Sequence, residues 1–147
     1  MPSFSEQLID LMFEKNIKSH ELAAAIGVNT SSVNDWKRGK YQLALSNLLK
    51  LADFFGCSLD FIMGRSETVL DYTPQPCPPF YPHFLSVLKA CGVTAYRIRK
   101  ETSIKGSFFS YWKTGADPYV AGLLVAADYL KVSLDYLVGR DPAINRS

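Results

Sequence analysis

Apolar residues recur along this chain at intervals of three and four, the period that gathers side chains on one face of an α-helix. The clearest stretches contain Leu8, Leu11 and Met12, and then Leu48, Leu51, Ala52 and Phe55. Helix-breaking residues separate the stretches, at Asn16, Gly27, Gly39, Gly56 and Gly64. The pattern therefore predicts an all-α fold whose first half has five short helices, at about residues 4–15, 19–26, 30–38, 45–55 and 59–63.

The same pattern occurs twice in the sequence, as an internal repeat of two copies. Setting Phe4 beside Phe80 gives an offset of 76 residues, which becomes 75 in the last part of each copy. SLDFIMGR at residues 58–65 is matched in this way by SLDYLVGR at residues 133–140. Because two copies are too few for a solenoid array, the repeat predicts two tandem domains, each with five helices.

A proline-rich segment separates the two copies. Residues 66–79 read SETVLDYTPQPCPP and have four prolines in their last six positions. Proline lacks a backbone donor and restricts the residue before it, so neither a helix nor a central strand can continue through this segment. We therefore expect a first domain at residues 1–65, a linker at 66–79 and a second domain at 80–147. In an extended form, the fifteen residues from Arg65 to Pro79 would span up to about 45 Å.

Composition limits the classes of protein to consider. With 48% apolar residues in 147, the chain can bury a core rather than stay disordered. No apolar run approaches the roughly 18 residues of a membrane span, and no secretory leader is recognisable, so we expect a cytoplasmic protein without membrane contact. Cys57, Cys77 and Cys91 lack C-x-x-C spacing, and there are two histidines. This pattern predicts reduced thiols and no metal site.

Charge is distributed unevenly between the two halves. The chain has a net charge of +2. Residues 1–75 hold 7 Lys and Arg against 9 Asp and Glu, whereas residues 76–147 hold 9 against 5. Any attraction for an anionic partner is therefore expected to be stronger in the second half.

The segment at residues 30–38 has two chemically different sides. Val33 and Trp36 fall together on one side, where we expect core packing, and the opposite arc is polar. That arc holds Thr30, Ser31, Asn34, Asp35 and Arg38. Short donors and acceptors of this kind can reach base edges in a major groove, and the basic tail of Lys37, Arg38 and Lys40 can neutralise phosphates. Asn29 is a predicted N-cap. The alternative is an ordinary solvated helix face.

A family resemblance covers this first copy. KSHELAAAIGVNTSSVNDWKRGK, followed by LSNLLKLADFFGCSLDFIMGR, resembles the Cro/repressor-type (XRE-like) helix-turn-helix family over residues 4–65. The resemblance implies a lambda-repressor-like DNA-binding domain whose helix at 30–38 enters the major groove of double-stranded DNA. It implies base reading by Thr30, Ser31 and Asp35, with Asn34 beside them. Ser19 and the turn after Gly39 would contact phosphates.

The second copy, VTAYRIRKETSIKGSFFSYWKTG, resembles the same family but departs from it. Arg99 stands at the position of Ala23, Ser103 at that of Gly27, and Lys105 at the capping position. A poor cap and a non-glycine in a left-handed turn each cost about 1 kcal/mol. We therefore expect the second copy to fold with an altered motif geometry.

The expected DNA contacts of the second copy also differ. Its reading positions hold Gly106, Ser107, Ser110 and Tyr111, which offer fewer hydrogen-bonding groups. Basic residues crowd the same region and favour sequence-independent phosphate contact; they are Arg97, Arg99, Lys100, Lys105 and Lys113. This predicts that the first copy reads bases and the second holds phosphates. The reverse assignment stays open, as does a merely solvated basic helix.

Two functions follow from these features. The leading hypothesis is a sequence-specific, double-stranded-DNA-binding transcriptional regulator, in which one chain imitates a two-fold pair or two chains form a homodimer. The alternative is an antitoxin-like or adaptor protein that binds a protein partner through exposed aromatic residues. These are Phe108, Phe109, Tyr111 and Tyr119, together with the linker. An enzyme and a cofactor are not expected, because the sequence shows no phosphate-binding glycine loop or recognisable catalytic constellation.

Overall fold

The computed structural model describes residues 2–144, which contain ten α-helices. The predicted all-α fold class is confirmed. The chain divides into two compact units, unit 1 at residues 1–71 and unit 2 at residues 72–147, and five of the helices lie in each. The longest helices of the described range have 11 residues, and none is long and apolar enough to cross a membrane.

Unit 1 contains the helices that periodicity predicts. They are α1 (Phe4–Glu14), α2 (Ser19–Ile26), α3 (Thr30–Arg38), α4 (Leu45–Phe55) and α5 (Leu59–Ile62). Local signals fix their ends: Ser3 and Glu6 form a capping box at the start of α1, and Gly27 ends α2 in the left-handed region at φ +75°. The predicted boundaries therefore agree with the structure to within one residue.

The core of unit 1 lies between these helices. Trp36 on α3 is only 3% exposed and Val33 is fully buried, as their shared helix face predicts. The Trp36 carbonyl accepts a hydrogen bond from Ser5 Oγ at 2.5 Å, and α3 packs against both α1 and α2. Burying an indole of this size contributes several kcal/mol, so the inner side of α3 is fixed and its polar side faces outward.

Unit 2 repeats the order and the starting points of the helices. They are α6 (Phe80–Ala90), α7 (Ala95–Glu101), α8 (Gly106–Lys113), α9 (Val120–Leu130) and α10 (Leu134–Val138). Each begins at the residue given by the offset of 76 for α6 to α8 and of 75 for α9 and α10. The residue missing from the second copy therefore falls in the loop between α8 and α9.

The turn between α7 and α8 differs from its counterpart. Ser103 was expected in a strained left-handed conformation, but the positive-φ residues other than glycine in the described range are Asn16 and Lys131. Instead Thr102 is extended; its Oγ1 donates to the Ile98 carbonyl at 2.6 Å and accepts from the Ile104 N–H at 3.0 Å. The expectation of strain at Ser103 is therefore wrong, because a threonine side chain rebuilds the turn.

The linker segment is attached to the units on both sides. Ser58 N–H donates to the Val69 carbonyl at 2.7 Å in unit 1. In unit 2, the Gln75 backbone N–H donates to the Arg140 carbonyl at 3.0 Å, and Gln75 Nε2 donates to the Gly139 carbonyl at 2.9 Å. These bonds leave a shorter spacer than the fifteen-residue chain expected from the prolines.

A buried polar cluster strengthens the second attachment. The Tyr72 hydroxyl donates to Asp135 Oδ1 and accepts from Arg140 NH1 at 2.8 Å. Asp135 and Arg140 are each 2% exposed and pair with each other at 3.3 Å. Burial, followed by the hydrogen bond to Asp135, raises the pKa of Tyr72, so its hydroxyl keeps its proton in the folded unit.

Candidate nucleic-acid interface

The turn between α2 and α3 sets the exposure of α3. Gly27 N–H and Val28 N–H both donate to the Ala23 carbonyl, at 2.9 and 3.0 Å, and close the end of α2. A Cβ on Gly27 would meet no atom within 4 Å, so the position requires glycine because of its positive φ rather than for lack of space. The helix α3 begins three residues after Gly27, with its polar side in solvent.

The residues predicted to contact DNA in unit 1 lie along this outer side or at its edges. Exposed members of the set are Asn29, Thr30, Ser31, Arg38 and Lys40, and half-buried members are Ser19, Asn34, Asp35 and Lys37. Asn29 occupies the predicted N-cap position, but its side chain makes no capping hydrogen bond. The start of α3 therefore presents its positive end without a capping side chain from Asn29.

Two contacts organise the charges around α3. Arg38 pairs with Asp35 at 2.7 Å, but their side chains are 63% and 49% exposed, so solvent screens the pair and it stabilises little. Lys37 Nζ donates to Ser19 Oγ at 3.1 Å, which brings together two residues predicted to contact phosphates. The exposed ion pair can open to release the Arg38 guanidinium, while Lys37 is held at the edge of the helix.

In unit 2, α8 presents a different surface. Gly106, Ser107, Ser110 and Lys113 are exposed as predicted. Tyr111 is 41% exposed, and its ring stacks on that of Tyr119 with centroids 6.1 Å apart and planes 10° apart. The outer side of α8 thus combines small polar residues with a tyrosine pair.

Arg97 takes part in a local network on the surface of unit 2, with its side chain 55% exposed. Its Nε donates to Glu101 Oε2 at 3.2 Å, and Tyr129 OH donates to Glu101 Oε1 at 2.8 Å. The hydrogen bonds from Tyr129 and then Arg97 lower the pKa of Glu101. This carboxylate stays charged, but solvent screens its pair with Arg97 as it does the Arg38 pair, so phosphate contact by Arg97 stays a prediction.

Lys105, which was expected to be a poor cap and to contact phosphate, lies beside the start of α8. It occupies the N-cap position without capping, and its Nζ donates to the carbonyls of Thr102 at 3.0 Å and Arg99 at 3.4 Å. A cation at this point complements the negative end of α7. Together with Tyr96, Arg99, Lys100 and Gly106, it lines an open basin of about 350 Å³, whose charge suits an anion.

Gly122, which the sequence pattern does not single out, lies inside α9 in contact range of α8. A Cβ there would lie 3.0 Å from Phe108 Cε2 and 3.5 Å from Trp112 Cζ2. The one available signal was a glycine within the apolar run of residues 120–130, where helix propensity disfavours it.

Comparison with known proteins identifies the class of the first region. The helix-turn-helix family HTH_3 matches residues 11–62, which run from α1 to α5. Unit 1 therefore contains a helix-turn-helix domain of this family.

One similar protein is the cryptic phage CTXphi transcriptional repressor RstR of Vibrio cholerae, which is 31% identical over 68 residues, or 46% of this chain. The aligned part spans 61% of the length of that repressor. A crystal structure of a transcriptional regulator from Listeria innocua is 23% identical with a TM-score of 0.42, covering 67% of this chain and 84% of the other.

Proposed function

We propose that this chain is a sequence-specific, double-stranded-DNA-binding transcriptional regulator, and a repressor by analogy with its phage relative. The observation that carries the proposal is the exposed polar side of α3, backed by buried Trp36, within the helix-turn-helix region. Thr30, Ser31, Asn34 and Asp35 would read base edges, and Lys37, Arg38 and Lys40 would contact phosphates. A cytoplasmic location and a non-catalytic role belong to the same proposal.

Unit 2 is proposed to be a second domain of the same type. The helices of the two units begin at equivalent residues, and a contact in unit 1 has an equivalent in unit 2. Gln7 Nε2 donates to the Phe61 carbonyl at 2.9 Å, and His83 Nε2 lies 3.2 Å from the Tyr136 carbonyl. These contacts join the first and last helices of each unit, so they support a common packing.

A second recurring feature is a left-handed glycine beside a proline. A Cβ on Gly64 would lie 1.9 Å from the Pro2 carbonyl oxygen, and one on Gly139 would lie 2.6 Å from Pro78 Cδ. Both glycines have positive φ. A proline two residues before the first helix of each unit thus packs against a glycine just beyond its last helix, which further supports a duplicated domain boundary.

The two units are proposed to have different roles in DNA binding. The outer side of α3 offers amide, hydroxyl and carboxylate groups, whereas α8 offers two serines and a tyrosine. Unit 2 instead has an excess of basic over acidic residues, which unit 1 lacks, and this excess favours contact with phosphates irrespective of sequence. Unit 1 would therefore determine most of the base preference. Pairing of two chains on a longer site remains part of the proposal.

Selection of bound duplexes from a random pool tests this assignment. Wild type should yield a defined motif. Asp35→Ala should change the preferred bases at one or two positions, and this change should be larger than the change caused by Tyr111→Ala. Phe13→Ala, which truncates an exposed side chain on α1, is the control and should keep the motif. A motif changed by Tyr111→Ala but not by Asp35→Ala would make unit 2 the main reader.

The second candidate function is that of an antitoxin-like or adaptor protein. The stacked Tyr111 and Tyr119 and the half-buried Phe108 favour it, since aromatic residues are enriched in interface cores. Tight binding to a protein, with no binding to duplex DNA at low salt, would select this function over the first.

A further inference from the structure

An apolar pocket opens on unit 2 beside α8. It has a volume of about 200 Å³ and lies between α8 and the start of α9. Its lining is formed by Ser107, Phe108, Tyr111, Trp112, Tyr119 and Gly122. Five of these six residues are aromatic or glycine, so the pocket suits an apolar or flat group rather than an ion.

Glycine keeps the floor of this pocket open. Gly122 lies within α9, where glycine is less favourable than alanine by roughly 0.5–1 kcal/mol. A methyl group at this position would press on the Phe108 ring at 3.0 Å and narrow the space. The stacked rings of Tyr111 and Tyr119 form one wall, and stacking holds that wall in place.

Two residues that line the pocket stand at positions that are polar in unit 1. By the offset of 76, Phe108 corresponds to Ser32 and Tyr111 to Asp35. At these two positions an aromatic side chain in α8 therefore replaces a polar one in α3, beside the exposed Ser107 and Ser110.

The charges around α8 indicate which apolar group would enter. Lys105 precedes the helix and Lys113 ends it, and both are exposed. Cations on both sides of an apolar site attract a polyanion. A polyanion that carries an apolar group therefore suits this site better than an uncharged peptide does. Duplex DNA has one such group in its major groove, the C5-methyl of thymine.

We propose that unit 2 reads thymine in duplex DNA through this pocket. The proposal rests on the proposed entry of α8 into the major groove. The C5-methyl and the adjoining ring edge would lie against Tyr111 and above Gly122, and Lys105 and Lys113 would approach the phosphates on either side. The second unit would then add a preference for A·T pairs through apolar contact, without hydrogen bonds to the bases.

Replacing thymine by uracil tests the proposal, because uracil lacks only the C5-methyl group. Each thymine of a duplex selected from the random pool is replaced in turn, and the dissociation constant is measured by fluorescence anisotropy. For wild type, at least one replacement should weaken binding about four-fold, equivalent to about 0.8 kcal/mol, the value for burying one methylene of hydrocarbon. Gly122→Ala and Tyr111→Ala should bind the two duplexes equally, whereas Phe13→Ala should keep the four-fold ratio.

Three results would overturn the proposal. In the first, wild type binds thymine and uracil duplexes equally at every position. In the second, both pocket variants keep the wild-type affinity and the wild-type ratio of the dissociation constants for the uracil and thymine duplexes. In the latter case the pocket serves another occupant, such as an apolar peptide. Failure to bind any duplex would instead contradict the proposed function itself, and this inference with it. Tyr111 is exposed, so Tyr111→Ala provides a folded variant even if Gly122→Ala disrupts packing, and circular dichroism checks both.

Discussion

Replacing Tyr72 by phenylalanine removes one oxygen atom from the buried cluster that holds the linker on unit 2. That hydroxyl donates to Asp135 and accepts from Arg140 at 2.8 Å, and both partners are charged and 2% exposed. A hydrogen bond to a charged group contributes about 1.5–3 kcal/mol. Because Asp135 and Arg140 still pair with each other, we expect a loss of about 2 kcal/mol in the free energy of unfolding of unit 2.

Urea unfolding followed by tryptophan fluorescence can measure this loss in unit 2 alone. Each unit holds one of the two tryptophans, so a Trp36→Phe background leaves Trp112 as the reporter of unit 2. At an m-value of about 1–2 kcal/mol/M, the midpoint should fall by about 1–2 M. Tyr96→Phe is the matched control, because Tyr96 is 63% exposed in the same unit; it should change the free energy by less than about 0.5 kcal/mol.

A midpoint shift for Tyr72→Phe no larger than that for Tyr96→Phe would mean that the buried hydroxyl does not stabilise unit 2. A second check uses pH. Because the pKa of Tyr72 is raised on folding, its stabilising effect is present below the ordinary tyrosine pKa of about 10 and is lost as the pH rises above that value. The stability gap between wild type and Tyr72→Phe should therefore narrow above about pH 10.

Two further predictions concern unit 1. Gly64→Ala should destabilise it by at least about 3 kcal/mol in urea unfolding, since the new Cβ would collide with the Pro2 carbonyl in addition to the left-handed strain. Gly56→Ala, with similar φ but open space, should cost only about 1 kcal/mol, and equal losses would contradict the collision. Asp35→Asn removes a negative charge from the outer side of α3 and should tighten binding to random duplex several-fold, because phosphates repel that carboxylate; unchanged random-duplex affinity would mean that Asp35 does not face phosphates.

Local sequence signals were sufficient for the helices of unit 1. Caps and left-handed glycines act within a few residues, so Ser3 and Gly27 fix helix ends without long-range information. The buried face of α3 followed from spacing alone, since Val33 and Trp36 are three residues apart. The same signals led to an error at Ser103, because the choice of C-terminal turn depends on whether a neighbouring side chain, here Thr102, competes for the backbone groups.

Features of the candidate site that join distant segments could not be read from the sequence. The ion pair of Arg97 with Glu101 has helical i,i+4 spacing and could have been anticipated, whereas the third partner, Tyr129, lies 28 residues from Glu101. The pocket beside α8 depends on the distance between two helices, and Gly122 looks like one more small residue in an apolar run. Tertiary distances, not residue types, create both features.

We expect the outer sides of α3 and α8 to bind duplex DNA, and this claim predicts that binding to a random duplex weakens as the salt concentration rises. Five basic residues at or beside these helices, Lys37, Arg38, Lys40, Lys105 and Lys113, would release counterions on contact. The dissociation constant, measured from about 50 to 200 mM salt, should give a slope of log affinity against log salt of about −4.5. Absence of binding at the lowest salt concentration, or a slope near zero, would contradict the claim.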